Sequence, residues 1–118
     1  MAYISKGFAP QSRMIREGGK VVASYDTGKA ELIGTANNLD RHTNANDFSA
    51  WEAGLYRQGD RYFLAGIGGP RSPYAHRCED GGRNEGYKII PLHHDEAQYW
   101  ARIHLDMDLA EAEAEATA

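Results

Sequence analysis

Length, composition and charge restrict what this sequence can encode. Its 118 residues suit one domain with a single hydrophobic core. The formal net charge is -4, and no stretch approaches the roughly 20 apolar residues that a transmembrane helix needs. One cysteine, Cys78, excludes an internal disulfide, and no apolar leader follows Met1. We therefore expect a cytoplasmic protein without a membrane partner.

The acidic residues are concentrated at the C-terminal end. Residues 1–104 contain all 13 Lys and Arg and 12 of the 17 Asp and Glu, whereas residues 105–118 contain five acidic residues and no basic ones. A balanced body does not favour sequence-independent binding of nucleic acid or of a membrane surface. We predict one α+β domain over residues 1–104 and an acidic Ala/Glu-rich tail, helical or frayed, over residues 105–118.

The first predicted element is a β-hairpin at residues 20–35. Two runs rich in β-branched side chains flank residues 26–29, which supply the Asp and Gly that a tight reversal needs. The preceding residues 10–16 are compatible with a short helix or an irregular edge strand. Residues 36–47, rich in Asn and Asp, predict a long connection, which is either a solvated connector or a contact surface.

A second hairpin is predicted at residues 50–67. Two aromatic-rich runs flank the turn residues 58–60. The second run is apolar at both alternating sets of positions, so we place it in the middle of the sheet with both faces covered. Since side chains alternate along a strand, Trp51 and Leu55 point to one face and Tyr56 to the other. The predicted core residues are Trp51, Leu55, Phe63 and Leu64.

Glycine and proline end this hairpin at residues 66–74. Closely spaced glycines can cradle a phosphate, but the sequence lacks the spacing of a phosphate loop, and Pro70 removes an amide donor. We therefore predict a structural turn at this point. A polar loop over residues 75–86 and a short strand at residues 87–90 follow it.

A helix is predicted at residues 93–104. Pro91 ends the strand before it, and acidic residues occupy its first turn, where the helix macrodipole favours negative charge. A second short helix is predicted in the tail, because Asp108 and Glu111 have the spacing of an N-terminal capping pattern. The fold is then an antiparallel sheet of about four to five strands packed by the C-terminal helix through Trp100. The inward face of that helix holds Ala97, Trp100, Ala101 and His104.

Nineteen positions between residues 51 and 104 form a recognisable pattern of aromatic, glycine and helix-start residues. They are Trp51, Glu52, Leu55, Tyr56, Arg57, Gly59, Tyr62, Phe63, Leu64, Gly66, Gly68, Gly69, Tyr74, Ile90, Pro91, Leu92, Glu96, Ala97 and Trp100. This pattern resembles one that recurs in small uncharacterised proteins of bacterial mobile elements and phages, which more often have Ser at the position of His93. The resemblance implies a small single-domain protein that binds and blocks a host protein, as anti-CRISPR proteins do.

The sequence offers no recognisable catalytic or metal-binding constellation. Its His and Cys residues do not form the two closely spaced pairs that are typical of zinc sites. No serine or cysteine lies in a known nucleophile motif. We therefore expect no cofactor, no metal and no enzymatic activity. The residues considered as metal ligands were His76, Cys78, His93, His94 and His104.

The function predicted from these observations is that of a non-enzymatic protein-binding module. Aromatic and Arg side chains are the types that anchor protein interfaces, and the acidic tail complements a basic patch on a partner. Together with the resemblance, this predicts an inhibitor of a host defence complex, such as an anti-CRISPR protein. An uncovered sheet edge is also compatible with a homodimer. The predicted contact residues are Tyr56, Arg57, Arg61, Arg71, Tyr74, Arg77, Asp106, Asp108 and Glu111.

Two alternative functions remain at this point. Single-stranded nucleic acid binds to some sheets through aromatic side chains interleaved with basic ones, and residues 56–88 have that composition. A small enzyme or a metal-binding protein is the second alternative. The interleaved residues are Tyr56, Tyr62, Phe63, Tyr74 and Tyr87 with Arg57, Arg61, Arg71, Arg77, Arg83 and Lys88.

Overall fold

The computed structural model describes residues 12–39, 48–84 and 86–111, and within them the protein has a mixed α+β fold. Its elements are β1 (Ser12–Glu17), β2 (Lys20–Asp26), β3 (Glu31–Asn37), β4 (Trp51–Gln58), β5 (Arg61–Gly68), β6 (His76–Arg77), β7 (Arg83–Asn84), β8 (Gly86–Leu92) and α1 (His94–Leu105). The described strands form a four-stranded sheet in the order β3-β4-β5-β8 and two separate hairpins, β1-β2 and β6-β7. All of these pairs are antiparallel. The predicted fold class is confirmed.

The hairpin of β4 and β5 occupies the centre of the main sheet, as predicted. The two strands pair along their whole length, from Trp51 opposite Gly68 to Gln58 opposite Arg61. Gly59 in the connecting turn has a φ of +65°, a left-handed conformation that glycine adopts without steric cost. Both faces of β5 are covered, so its predicted interior position is confirmed. Of the predicted core residues, Leu55, Phe63 and Leu64 are buried, and Trp51 is half-buried.

Helix α1 covers one face of the main sheet. Its buried residues are Ala97 and Ala101, whose small side chains let the helix approach Leu55 and Leu64 closely. Trp100 packs at the border of this cluster and is half-buried. Each fully buried leucine contributes about 1.5–3 kcal/mol relative to an exposed one, so this aliphatic contact holds the helix in place.

The β1-β2 hairpin covers the opposite face of the sheet with aromatic rings. The Phe63 ring lies 5.3 Å from the Tyr25 ring in an edge-on arrangement. The same ring stacks on Tyr56 at 5.3 Å with an interplanar angle of 8°. Gln58 ties the hairpin to the sheet, because its Oε1 accepts a hydrogen bond of 3.0 Å from the Asp26 amide. The protein therefore has three layers: helix, sheet and hairpin.

The predicted hairpin at residues 20–35 is wrong in its pairing. Both strands exist, and the Lys29 amide donates to the Asp26 carbonyl across the predicted turn at 3.0 Å. However, β2 pairs with β1 around Gly18 and Gly19, while β3 pairs with β4. A tight turn reverses the chain locally, but burial decides which strands pair. Here Tyr25 of β2 enters the hairpin-side cluster, whereas β3 extends the main sheet.

The glycine-rich segment after β5 is a structural turn packed against the sheet. A Cβ atom at Gly66 would overlap the Tyr74 ring, and one at Gly68 would overlap the Ser72 hydroxyl. The Ser72 Oγ donates to the Gly69 carbonyl at 2.8 Å and accepts from the Tyr74 amide at 3.2 Å. Glycine is needed here because the turn folds back onto the strand.

Two further predictions near this turn need correction. The predicted polar loop at residues 75–86 contains the short hairpin β6-β7, and β8 continues through Pro91 to Leu92 instead of ending there. Proline is tolerated in β8 because that strand lies at the edge of the main sheet, where one side of its backbone has no strand to pair with. Of the predicted connection at residues 36–47, positions 40–47 lie outside the described residues. So do positions 10 and 11 of the segment before the first predicted hairpin.

The chain remains packed beyond the end of α1. The helix ends at Asp106, which has a left-handed φ of 50°. Leu109 is only 1% exposed and joins the cluster beneath the helix, and its amide donates to the Gln98 Oε1 at 2.8 Å. The Asp108 carboxylate accepts from the Ala110 amide at 2.9 Å, which confirms that it caps a short second helix. Among the described residues, no helix has the length and apolar content needed to cross a membrane.

Candidate functional site

Two of the predicted contact residues are not on the surface. Tyr56 is 7% exposed and Tyr74 is 3% exposed, and burial raises the pKa of Tyr74 to about 12. Their prediction as contact residues is wrong, because it assumed a sheet face that the structure covers with the β1-β2 hairpin and the turn after β5. Tyr62 and Phe63 are buried as well, so the sheet presents no stacking surface for single-stranded nucleic acid at these four positions.

The four predicted arginines do not form one surface. Arg57 and Arg61 flank the β4-β5 turn, and the Arg57 Nε donates to the Gly59 carbonyl at 2.9 Å. Arg71 and Arg77 lie beyond the other end of β5. A strand of 8 residues rises about 3.3 Å per residue, so the two pairs are on the order of 20 Å apart. The structure therefore does not bring the four arginines together in one compact cluster.

The predicted acidic residues are brought together beside the end of α1. Asp106, Asp108 and Glu111 line a shallow pocket of about 270 Å³ with Arg102 and Met107. The Arg102 Nη2 lies 3.6 Å from the Asp108 Oδ2. This ion pair is largely exposed, so it contributes little to stability. The first acids of the tail are therefore held in fixed positions by the docked Leu109 and by the Asp108 cap.

The outer face of α1 is an apolar feature that sequence reasoning missed. Tyr99 is 68% exposed and Ile103 is 55% exposed, one helical turn apart, on the side opposite the buried alanines. Below them lies an open groove of about 500 Å³, lined by Leu92, Asp95, Glu96, Tyr99 and Trp100. The four-residue spacing of Tyr99 and Ile103 is visible in the sequence. Its significance appears only once the small residues are known to face inward.

Charged residues are distributed unevenly between the segment that contains α1 and the rest of the chain. Residues 93–111 carry five carboxylates and one arginine, whereas residues 1–92 carry 12 Lys and Arg and 10 acidic residues. Asp95 and Glu96 line the groove itself. We call the outer face of α1 together with its groove the α1 surface. It presents exposed apolar side chains that are surrounded by negatively charged residues.

Trp100, which lines the groove, belongs to a group of aromatic rings in contact. The His104 ring lies 4.7 Å from the Trp100 ring and 5.3 Å from the Trp51 ring. Burial against these indoles lowers the pKa of His104 below its usual value. His104 is nevertheless exposed as a whole, so its predicted place on the inward face of α1 is wrong. Within the described residues, no group of three or more His, Cys, Asp or Glu is placed to hold a metal ion.

No protein-family model, curated protein or solved structure matches this chain. The resemblance to proteins of mobile elements and phages therefore stays a prediction.

Proposed function

We propose that this protein is a non-enzymatic protein-binding module that docks its partner on the outer face of α1. The observation that carries the proposal is the exposure of Tyr99 and Ile103, at 68% and 55%, on adjacent turns of a helix whose opposite face is anchored by Ala97 and Ala101. A helix fixed in this way presents the two side chains in defined positions. Preorganised aromatic and aliphatic side chains bind with little loss of conformational entropy.

The groove chemistry defines the partner segment. Leu92 and Trp100 offer apolar walls, and the Tyr99 and Trp100 rings offer faces that attract cations. Asp95 and Glu96 place carboxylates at the same groove. The complementary ligand is a protein segment with an apolar side chain beside Lys or Arg. Electrostatic complementarity of this kind speeds association and selects the partner.

The resemblance indicates which partner to test first. Small proteins of mobile elements that bind a host protein often act by occupying a surface that the host protein needs. A defence complex of a bacterial host, with basic surfaces that contact nucleic acid, matches the charge of the α1 surface. In this role the protein is an inhibitor of the anti-CRISPR type, and inhibition follows from occupancy without catalysis.

Selection from a randomised peptide library tests the docking surface directly. We expect enriched peptides to carry an apolar residue next to Lys or Arg. The double variant Y99A/I103A removes two exposed anchors without touching the core, so binding of these peptides should weaken at least about 10-fold. Isothermal titration calorimetry with a synthetic enriched peptide measures the change.

The matched control for this experiment is M14A/V21A. It removes two apolar side chains of similar exposure, 60% and 49%, from the hairpin layer on the other side of the sheet. Peptide binding should be unchanged by it. Equal losses in the two double variants, or enriched peptides without the basic and apolar pairing, would contradict the proposal.

A second variant separates charge from apolar contact. D95N/E96Q keeps the shape of both side chains, and Gln at position 96 can still accept the hydrogen bond of 2.8 Å that the His93 amide donates to Glu96. We expect weaker peptide binding and a smaller dependence on salt concentration. Unchanged salt dependence would remove these two carboxylates from the mechanism.

A further inference from the structure

The short hairpin β6-β7 places two arginines directly opposite each other. Arg77 pairs with Arg83 in the antiparallel register, and both side chains are exposed. Residues opposite each other in such a pair have Cβ atoms about 4.5–5.5 Å apart, and like charges at this distance destabilise the pair. A hairpin of only two residues per strand retains this repulsion in the absence of a compensating anion.

Hydrogen bonds connect this pair to a third arginine and an exposed aromatic ring. The Arg83 Nη2 lies 3.5 Å from the carbonyl oxygen of buried Ser72, the residue after Arg71. The Arg71 guanidinium sits 5.9 Å from the centroid of the Phe48 ring, and the Arg71 amide donates to the Phe48 carbonyl at 2.8 Å. Phe48 is 53% exposed. We call Phe48, Arg71, Arg77 and Arg83 the arginine lobe.

Of the acidic residues near the opposed pair in sequence, Glu79 and Asp80 are described and do not pair with it, whereas position 85 lies outside the described residues. Within residues 12–39, 48–84 and 86–111, no carboxylate lies within 4.0 Å of the Arg77 or Arg83 guanidinium. Asp80 uses its Oδ1 to accept from the Gly82 amide at 2.9 Å in the β6-β7 turn, and Glu79 is exposed beside it. In the described residues of this region, three arginines therefore lie near two carboxylates, and neither carboxylate forms an ion pair with the opposed arginines.

The lobe is also held firmly to the body. Tyr74 and Ala75, which lead into β6, are each 3% exposed. Gly86, which leads out of β7, lies so close to the His76 backbone that a Cβ atom would come within 2.9 Å of its amide nitrogen. Since both ends of the hairpin are anchored, its arginines are presented at fixed positions.

We propose that the arginine lobe is a second binding site, separate from the α1 surface, and that its ligand is single-stranded nucleic acid. A phosphodiester has two unesterified oxygens, and adjacent guanidiniums can bind one each, which relieves the repulsion between Arg77 and Arg83. A base of the same strand stacks on Phe48, next to the Arg71 guanidinium. An acidic protein segment satisfies the arginines but supplies no flat group that can stack on the 53% exposed Phe48 ring.

Fluorescence anisotropy with a labelled single-stranded oligothymidylate tests the site. We expect binding at low salt that weakens steeply as salt rises, because phosphate contacts release counterions. R77Q/R83Q removes two such contacts, so the slope of log K against log salt should fall by about 1.4. F48A should weaken binding at least about 5-fold, the loss expected for one stacked base.

The matched control is R57Q/R61Q, which makes the same charge change at the opposite end of β5. It should leave the slope within error of the wild-type value, and Y99A/I103A should bind the oligonucleotide as the wild type does. Absence of oligonucleotide binding at low salt, or an equal change of slope in the control, would overturn the proposal. Tighter binding of a polyglutamate peptide than of the oligonucleotide, lost in R77Q/R83Q, would also overturn it in favour of an acidic protein.

Discussion

The two faces of the four-stranded sheet are covered by different kinds of side chain. On the helix face, Ala97 and Ala101 bring α1 close to Leu55 and Leu64. On the hairpin face, the space between layers is filled by rings, with Phe63 in contact with both Tyr25 and Tyr56. The helix thus touches the sheet through small and aliphatic residues, with Tyr62 in the same cluster, whereas rings fill the centre of the hairpin face beside Ala65 and Ile89.

This difference determines where exposed apolar side chains remain. A helix that packs through alanines buries none of its long side chains at the closest point of contact, so Tyr99 and Ile103 point outward. The hairpin face takes up Tyr56 and Phe63, whereas Tyr62 is buried on the helix face and Tyr87 stays 74% exposed. Residue type alone therefore does not distinguish a core ring from a contact ring. The layer packed against it decides.

The largest effect is expected from removing the ring at the centre of the hairpin face. Phe63 is fully buried, so F63A should lower the free energy of unfolding by about 3–5 kcal/mol, and L55A on the helix face by about 2–5 kcal/mol. Urea denaturation followed by fluorescence measures both. If F63A costs less than about 1 kcal/mol while L55A costs its full amount, the hairpin layer is not part of the cooperative core.

A smaller loss of stability is expected from a substitution in the tail. It tests whether Leu109 belongs to the core on the helix face of the sheet. Leu109 is 1% exposed, so L109A should cost about 2–4 kcal/mol in the same denaturation experiment. The comparison variant I103A removes a side chain that is 55% exposed and should change stability by no more than about 0.5 kcal/mol. Similar costs in the two variants would show that the tail is not docked. If L109A is costly, a deletion of the tail must begin after Leu109 in order to leave the core intact.

A further effect appears at high pH. Burial raises the pKa of Tyr74 from 10.0 to about 12, so the unfolded chain loses its phenolic proton before the folded protein does. The contribution of Tyr74 to stability is therefore fully present below pH 10 and is lost between pH 10 and 12, by about 1.4 kcal/mol per pH unit. Thermal unfolding across this range measures the slope.

Two phenylalanine variants identify the group responsible. Y74F should reduce the loss of stability above pH 10, and the remaining slope belongs in part to Tyr56, whose pKa burial also raises. Y99F changes an exposed tyrosine, 68% accessible, and should leave the slope as it is in the wild type. A slope that Y74F does not alter would mean that the Tyr74 hydroxyl titrates normally in the folded protein.

Much of the fold followed from local sequence pattern. The aromatic runs with Gly59 between them predicted β4 and β5, because alternation, β-propensity and turn chemistry all act within a few residues. The same local rules placed α1 and the Asp108 cap. The turn at residues 26–29 was also predicted, since its Asp and Gly act through their own backbone.

Sequence pattern did not identify the candidate site. The predicted set included Tyr56 and Tyr74, which are buried, and arginines from both ends of β5. It omitted Tyr99 and Ile103, although their helical spacing was readable. Choosing between these groups requires knowing which faces of the sheet are covered, and no local rule provides that information.

The sequence by itself therefore determined strands β2 to β5, most of β8, helix α1 and the turns at residues 26–29 and 58–60, and it determined the separation of charge between the body and the C-terminal end. It left β1 open between helix and strand, and it predicted a loop where the β6-β7 hairpin lies. Only the tertiary structure decided that β2 pairs with β1 instead of β3, that the hairpin layer buries the aromatic face, and that Leu109 docks beneath α1. The physical reason is that the backbone of a strand offers hydrogen-bonding groups along both edges and side chains on both faces. Which of them become paired or buried depends on long-range contacts that lower the free energy of the whole chain.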